Sequence, residues 1–159
     1  MNEAFAYRYL VRQGCSEVRL IKEDGTRSPD ISFIIDKAQR YCEVKTLGIS
    51  DDEIDRRTSG DVFDGRYYVH LSKSFLDKKF SDAITHANEQ ILSRGQGLIY
   101  VIMRFDDIAL DYYENYKKQL IRFSIENRFD NLFIKIGLRG NKRISVNLNL
   151  RWRWASASR

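Results

Sequence analysis

Residues 28–46 read Ser-Pro-Asp-Ile-Ser-Phe-Ile-Ile-Asp-Lys-Ala-Gln-Arg-Tyr-Cys-Glu-Val-Lys-Thr, and this stretch decides how the chain is read. Ile31 to Ile35 is dense in Ile and Phe, which predicts a strand. Tyr41 to Leu47 predicts another, and Asp36 to Gln39 reads as the turn between them. A connection this short favours antiparallel pairing. Pro29-Asp30 opens the first strand. After twelve intervening residues, Glu43-Val44-Lys45 falls on the second. Side chains at i and i+2 of a strand share a face, so Glu43 and Lys45 project together while Val44 points into the core. Asp30, at the start of one strand, then lies near Glu43 towards the end of the other. Two close carboxylates repel, and one is driven to hold a proton. A divalent cation removes that repulsion.

The same segment extends outward in both directions. Asn2 is placed to cap a first helix running to about Gln13, with Phe5, Ala6, Tyr9 and Leu10 as its apolar stripe and Gly14 as its stop. Glu17 to Lys22 alternates Val18 and Leu20 with charged neighbours and reads as a strand, followed by the Asp24-Gly25 turn signal. Helix, then three strands in a meander, is therefore the predicted opening. Ser50 to Gly65 is polar, and Thr58 to Gly65 is either a loop that closes over substrate or an idle one. Tyr67 to Leu71 is a candidate short strand. Asp77 to Arg94 predicts an amphipathic helix with Phe80, Ile84, Ala87 and Ile91 on one face. Leu98 to Met103 is a continuous apolar run, the mark of a strand buried on both sides. Asp111 to Asn127 predicts a third helix with Leu120, Ile121 and Phe123 in the core. Strands are predicted at Leu132 to Ile136 and Arg143 to Trp154. The order helix, three strands, helix, strand, helix, strand, strand defines an α/β protein with a mixed central sheet flanked by helices.

Length and composition narrow the chemistry. A chain of 159 residues, with one proline and no repeat or low-complexity segment, is expected to form one domain over residues 1–159. No apolar run approaches the length that spans a bilayer, so a membrane partner is not expected. Met1 to Leu10 is interrupted by Glu3 and Arg8 and does not read as a signal peptide, which makes a cytoplasmic location the expectation. Two cysteines and two histidines leave almost no room for Cys/His metal sites, so any bound metal should take oxygen ligands, as magnesium or manganese does. Cys42 reads as a buried, reduced filler. Residues 1–111 carry 16 basic and 19 acidic groups, whereas residues 112–159 carry 11 basic and 3 acidic. The basic distal part either meets phosphates or simply stays solvated.

Pro29-Asp30, a spacer and Glu43-Val44-Lys45 resemble the signature of the PD-(D/E)XK nuclease superfamily. The element order over roughly residues 2–103 resembles its restriction-endonuclease-like core, α-β-β-β-α-β, here followed by a C-terminal helix and strands. The resemblance implies that Asp30 and Glu43, with the Val44 backbone carbonyl, ligate Mg2+ or Mn2+. It also implies that Lys45 acts on the attacking water or the phosphate. Glu3, the acidic residue of the first helix, matches a glutamate that reaches the metal in many members. His86 and Gln90 match the polar groups that the helix after the meander often supplies. The implied activity is hydrolysis of phosphodiester bonds in DNA, with RNA as the variant; the oligomeric state stays open, although cutting both strands of a duplex commonly needs two sites and hence a homodimer. The alternatives are a nuclease-like nucleic-acid-binding module without catalysis, or a protein-interaction domain.

Other features have two readings each. Arg151 and Arg153 alternate with Trp152 and Trp154, which puts the arginines on one face for phosphates and the tryptophans on the other over the core. Lys142 and Arg143 in a basic turn either touch a phosphate or are only solvated. Tyr67, Tyr68, Tyr112, Tyr113 and Tyr116 are expected in the core or at its rim.

Overall fold

The computed structural model describes residues 2–22, 25, 27–48, 70–105, 112–138 and 146–149. They form α1 (Glu3–Arg12), β1 (Ser16–Leu20), β2 (Ile31–Ile35), β3 (Ala38–Leu47), α2 (Ser81–Leu92), β4 (Gly97–Phe105), α3 (Tyr113–Glu126), β5 (Leu132–Leu138) and β6 (Val146–Asn149). The strands pair in chain order, β1-β2-β3-β4-β5-β6. The β1–β2, β2–β3 and β5–β6 pairs are antiparallel, and β3–β4 and β4–β5 are parallel. Each parallel pair is joined through a helix, α2 or α3, as parallel pairing requires. The protein is α/β with a mixed sheet flanked by helices.

The two faces of the sheet bury two separate cores. Ile99, Val101 and Met103 of β4 and Leu132, Ile134 and Ile136 of β5 pack with Ile84, Ala87 and Ile91 of α2 and Leu120 of α3. Leu98, Tyr100 and Ile102 point the other way, towards Ala6 and Leu10 of α1. Tyr9 closes that side against Phe133 and Tyr100, with ring centroids 4.0 and 5.5 Å away. The apolar run 98–103 is thus covered on both faces, as its composition implied, and each fully buried large side chain contributes about 1.5–3 kcal/mol.

Local chemistry sets the boundaries. Gly14, at φ +81°, ends α1 in a Schellman motif in which Cys15 N–H donates to the Leu10 carbonyl and Gly14 N–H to that of Val11. Asn2 does not cap the helix with its side chain. Instead its Nδ2 donates to Thr46 Oγ1 at 2.8 Å, and its Oδ1 accepts from Arg104 at 2.6 Å. The expected cap is therefore a bracket tying α1 to the ends of β3 and β4. The expected turn over Asp36 to Gln39 is only two residues long. Asp36 and Lys37 adopt φ +50° and +61°, the double left-handed geometry of a tight hairpin, and β3 starts at Ala38. A bulge interrupts β1 between Ser16 and Arg19, with Glu17 at φ +46°, and leaves Leu20 61% exposed on the edge strand. A π-helical stretch, Phe75–Phe80, leads into α2. Widening the turn brings residues five apart to one side, so Phe75 and Phe80 are both buried. Gly97 starts β4 against Tyr41, where a β-carbon would collide with the Tyr41 carbonyl.

The candidate strand at Tyr67 to Leu71 is not seen at His70 and Leu71, and its remainder lies outside the described residues. Of the strand expected over Arg143 to Trp154, Val146–Asn149 is described. Among the described residues, no helix is long and apolar enough to cross a membrane.

Candidate active site

The polar cluster lies where β2 begins and the β2–β3 ladder ends. Pairing runs from Ile35↔Ala38 to Ile31↔Cys42, so Asp30 comes level with Glu43, just past the last paired residue. Cys42 and Val44 join the core on the α1 side, and Tyr41 and Leu47 join the core beneath α2. Glu43 and Lys45 share the latter face by strand alternation. The structure brings the three expected groups together. Asp30 Oδ2 accepts a 2.7 Å hydrogen bond from Val44 N–H, and Lys45 Nζ donates to Glu43 Oε1 at 2.7 Å. A strand residue's N–H and C=O leave on the same side, so the Val44 carbonyl also faces the Asp30 side rather than β4.

Burial dominates the electrostatics. Glu43 is only 3% exposed, level with Ile99 of β4, which is fully buried. Its Oε2 is buried and no donor reaches it; the Glu43 and Asp30 carboxyls can hydrogen-bond each other only when one of them holds a proton. Loss of water pushes the Glu43 carboxyl up to about 7; Lys45 opposes that rise and the Asp30 charge adds to it. Asp30 is raised for the same first reason, held back by the Val44 N–H and pushed further by the charge of Glu3. The two carboxyl groups compete for one proton, the situation expected of close acids in a dry place.

Lys45 is held from a second side. Its Nζ donates to Gln90 Oε1 of α2 at 2.7 Å, and its side chain is 25% exposed. Gln90 Nε2 in turn donates to the Ser28 carbonyl at 3.4 Å. Gln90, which the resemblance offered only as a general polar supplier, is thus in direct contact with the lysine. His86, one turn earlier on α2, is exposed and makes none of these hydrogen bonds. Glu3 acts on Asp30 through its charge. Lys142, Arg143, Arg151 and Arg153 lie outside the described residues, as do Thr58 to Gly65, Tyr67, Tyr68, Trp152 and Trp154. Tyr116 is buried and Tyr112 packs at the rim of the core.

Asp30 and Glu43 are the groups here that suit a hard divalent cation, since both are carboxylates and a cation could take the place of the proton they would otherwise share. Among the described residues, no group of three or more His, Cys, Asp or Glu side chains is placed to hold a metal. No family model, curated protein or solved structure matches the chain.

Sequence reasoning missed Asn2 and Arg104 as a bracket and Gly97 as the seat of β4. A glycine directly before an apolar strand run was the available signal for the last. Nothing local marked the other two.

Proposed function

We propose that this chain is a metal-dependent nuclease with a restriction-endonuclease-like core, hydrolysing phosphodiester bonds in DNA. One observation carries the reading: the buried Glu43 carboxylate has an oxygen that no donor reaches and lies within hydrogen-bond reach of a second carboxylate, Asp30, with a lysine bonded to the same glutamate. A buried acid without a full set of partners is costly unless something compensates it. A divalent cation would do so, and the donors present fit Mg2+ or Mn2+. Asp30 and Glu43 would hold it, with the Val44 carbonyl as a third oxygen. When bound, the cation would lower the pKa of water and neutralise charge growing on the phosphate.

The chain's own groups have defined parts in this reading. An ammonium has three N–H donors, and Lys45 directs two of them to Glu43 and Gln90. The third is available to the attacking water or to a non-bridging phosphate oxygen, where developing charge is stabilised. The water oxygen bonds to phosphorus as the bond to the leaving ribose oxygen breaks; the proton the water gives up passes to solvent, and the leaving oxygen takes one up from solvent. Burial of Glu43 strengthens each of these interactions. The basic 112–159 segment supplies sequence-independent attraction for the phosphate backbone.

The test is cleavage of plasmid, linear and single-stranded DNA with Mg2+ or Mn2+, compared across wild type, Asp30→Ala and Lys45→Ala. Each substitution is expected to lower the rate by about 100-fold or more. Unchanged cleavage in both variants would overturn the site.

A second reading has its own support. The net positive charge of residues 112–159, 11 basic against 3 acidic groups, also fits a nuclease-like module that binds nucleic acid without cutting it. It predicts salt-sensitive DNA or RNA binding and no Mn2+ uptake at Asp30 and Glu43.

A further inference from the structure

Lysine is a flexible side chain, and a single bond to Glu43 would leave its ammonium free to swing about that oxygen. The structure adds a second hold from a different element. Gln90 Oε1 of α2 accepts from Lys45 Nζ at 2.7 Å, in addition to the 2.7 Å bond to Glu43. The other end of the same amide donates to the Ser28 carbonyl, two residues before Asp30. The partners fix the amide's orientation. An ammonium can only donate and a carbonyl can only accept, so Oε1 must face Lys45 and Nε2 must face Ser28. Just after α2, Ser93 Oγ gives its one proton to the Gln90 carbonyl at 2.7 Å. Arg27 approaches Glu89 at 3.9 Å, but both side chains are exposed and the pair adds little to the hold.

We infer that Gln90 is a positioning residue: one amide aims the Lys45 ammonium and straps the segment carrying Asp30 to α2, fixing both sides of the site together. The inference rests on the proposed function, because positioning matters only if Lys45 and Asp30 act on a substrate. Glutamine is the residue type that does both, since the function needs one acceptor and one donor on a single rigid plane. A glutamate at this position keeps the acceptor for Lys45 and loses the donor for Ser28. A methionine of similar length loses both.

The experiment uses the full chain with 13C/15N-labelled lysine, free of divalent metal, and Lys45→Arg to assign the Lys45 signal. The expected result is a resolved, slowly exchanging Lys45 ammonium resonance in wild type and in Gln90→Glu, and its loss in Gln90→Met. A second measurement follows Mn2+-dependent cleavage of a duplex oligonucleotide. Gln90→Met is expected to lower kcat by about 10- to 100-fold while KM changes by no more than about twofold. Gln90→Glu, being isosteric, controls for folding and should keep part of the lost rate. A Lys45 resonance in Gln90→Met identical to that of wild type would overturn the inference. So would an unchanged kcat in that variant while Lys45→Ala abolishes cleavage. Wild-type protein that cuts no DNA would instead sink the nuclease reading, and the ammonium signal would still decide whether Gln90 holds Lys45.

Discussion

The antiparallel part of the sheet, β1 to β3, and its parallel centre, β4 with β5, solve opposite problems. In β4, no residue from Leu98 to Met103 is more than 4% exposed, and every one of them is uncharged. In the antiparallel part, Leu20 is largely exposed and three residues other than glycine, Glu17, Asp36 and Lys37, adopt positive φ. That part also places a carboxylate at the depth of Ile99. The comparison shows how a rigid apolar platform supports a strained, polar neighbour. The site lies on β3, the strand that belongs to both parts, with one ladder partner of each kind.

Breaking the platform should have the largest effect. Ile99→Ala removes a fully buried side chain beside Glu43 and is expected to cost about 4 kcal/mol, read from urea unfolding. A cost under about 1 kcal/mol would mean that the platform is not close-packed there. Gly97→Ala attacks the seam between the two parts, where the new methyl meets the Tyr41 carbonyl. A loss of about 3 kcal/mol is expected, since backbone has to move to accommodate it.

The third test probes the buried carboxylate. The folded-state value for Glu43 is raised, so the neutral form is favoured by the fold. Stability relative to Glu43→Gln is fully present below about 4.5 and is lost as pH rises through about 7. In metal-free buffer, Glu43→Gln should therefore be more stable than wild type above pH 7 by roughly 2 kcal/mol, with the difference shrinking in acid. A difference independent of pH would show that Glu43 is not desolvated. The smallest expected effect is at the hairpin. Lys37→Gly relieves a left-handed lysine and should stabilise the fold by about 1 kcal/mol, measurable as a rise in Tm.

The same contrast explains what could be read from the chain. The parallel centre was legible because burial on both faces leaves an unmistakable apolar run. Ile31 to Ile35 was read with its observed limits for a similar reason. The stripe of Phe80, at the end of the π-helical stretch, with Ile84, Ala87 and Ile91 of α2 was also legible, since all four are buried. The hairpin turn was placed too wide because Asp-Lys is not the Asn-Gly or Asp-Gly pair that normally marks two left-handed residues. Asn2 has the chemistry of a cap, and only the positions of Thr46 and Arg104 redirect it. Asp30, Glu43 and Lys45 could be grouped from strand alternation because they share one hairpin. The contact between Gln90 and Lys45 could not, because it depends on where α2 settles.

That last distinction has a kinetic consequence. The two acids and the lysine are brought close by a local hairpin, but the Gln90 contacts join residues 45 and 62 positions apart. Closing such loops is slow relative to zipping a two-residue turn. The expected order of assembly is a hairpin whose acids still touch bulk water, followed by docking of β4 and α2, which shuts that water out. Pulsed hydrogen exchange during refolding should then show amides of β2 protected before those of β4. The energetically awkward carboxylate would thus be sealed in late, when the strongest apolar contacts are forming around it.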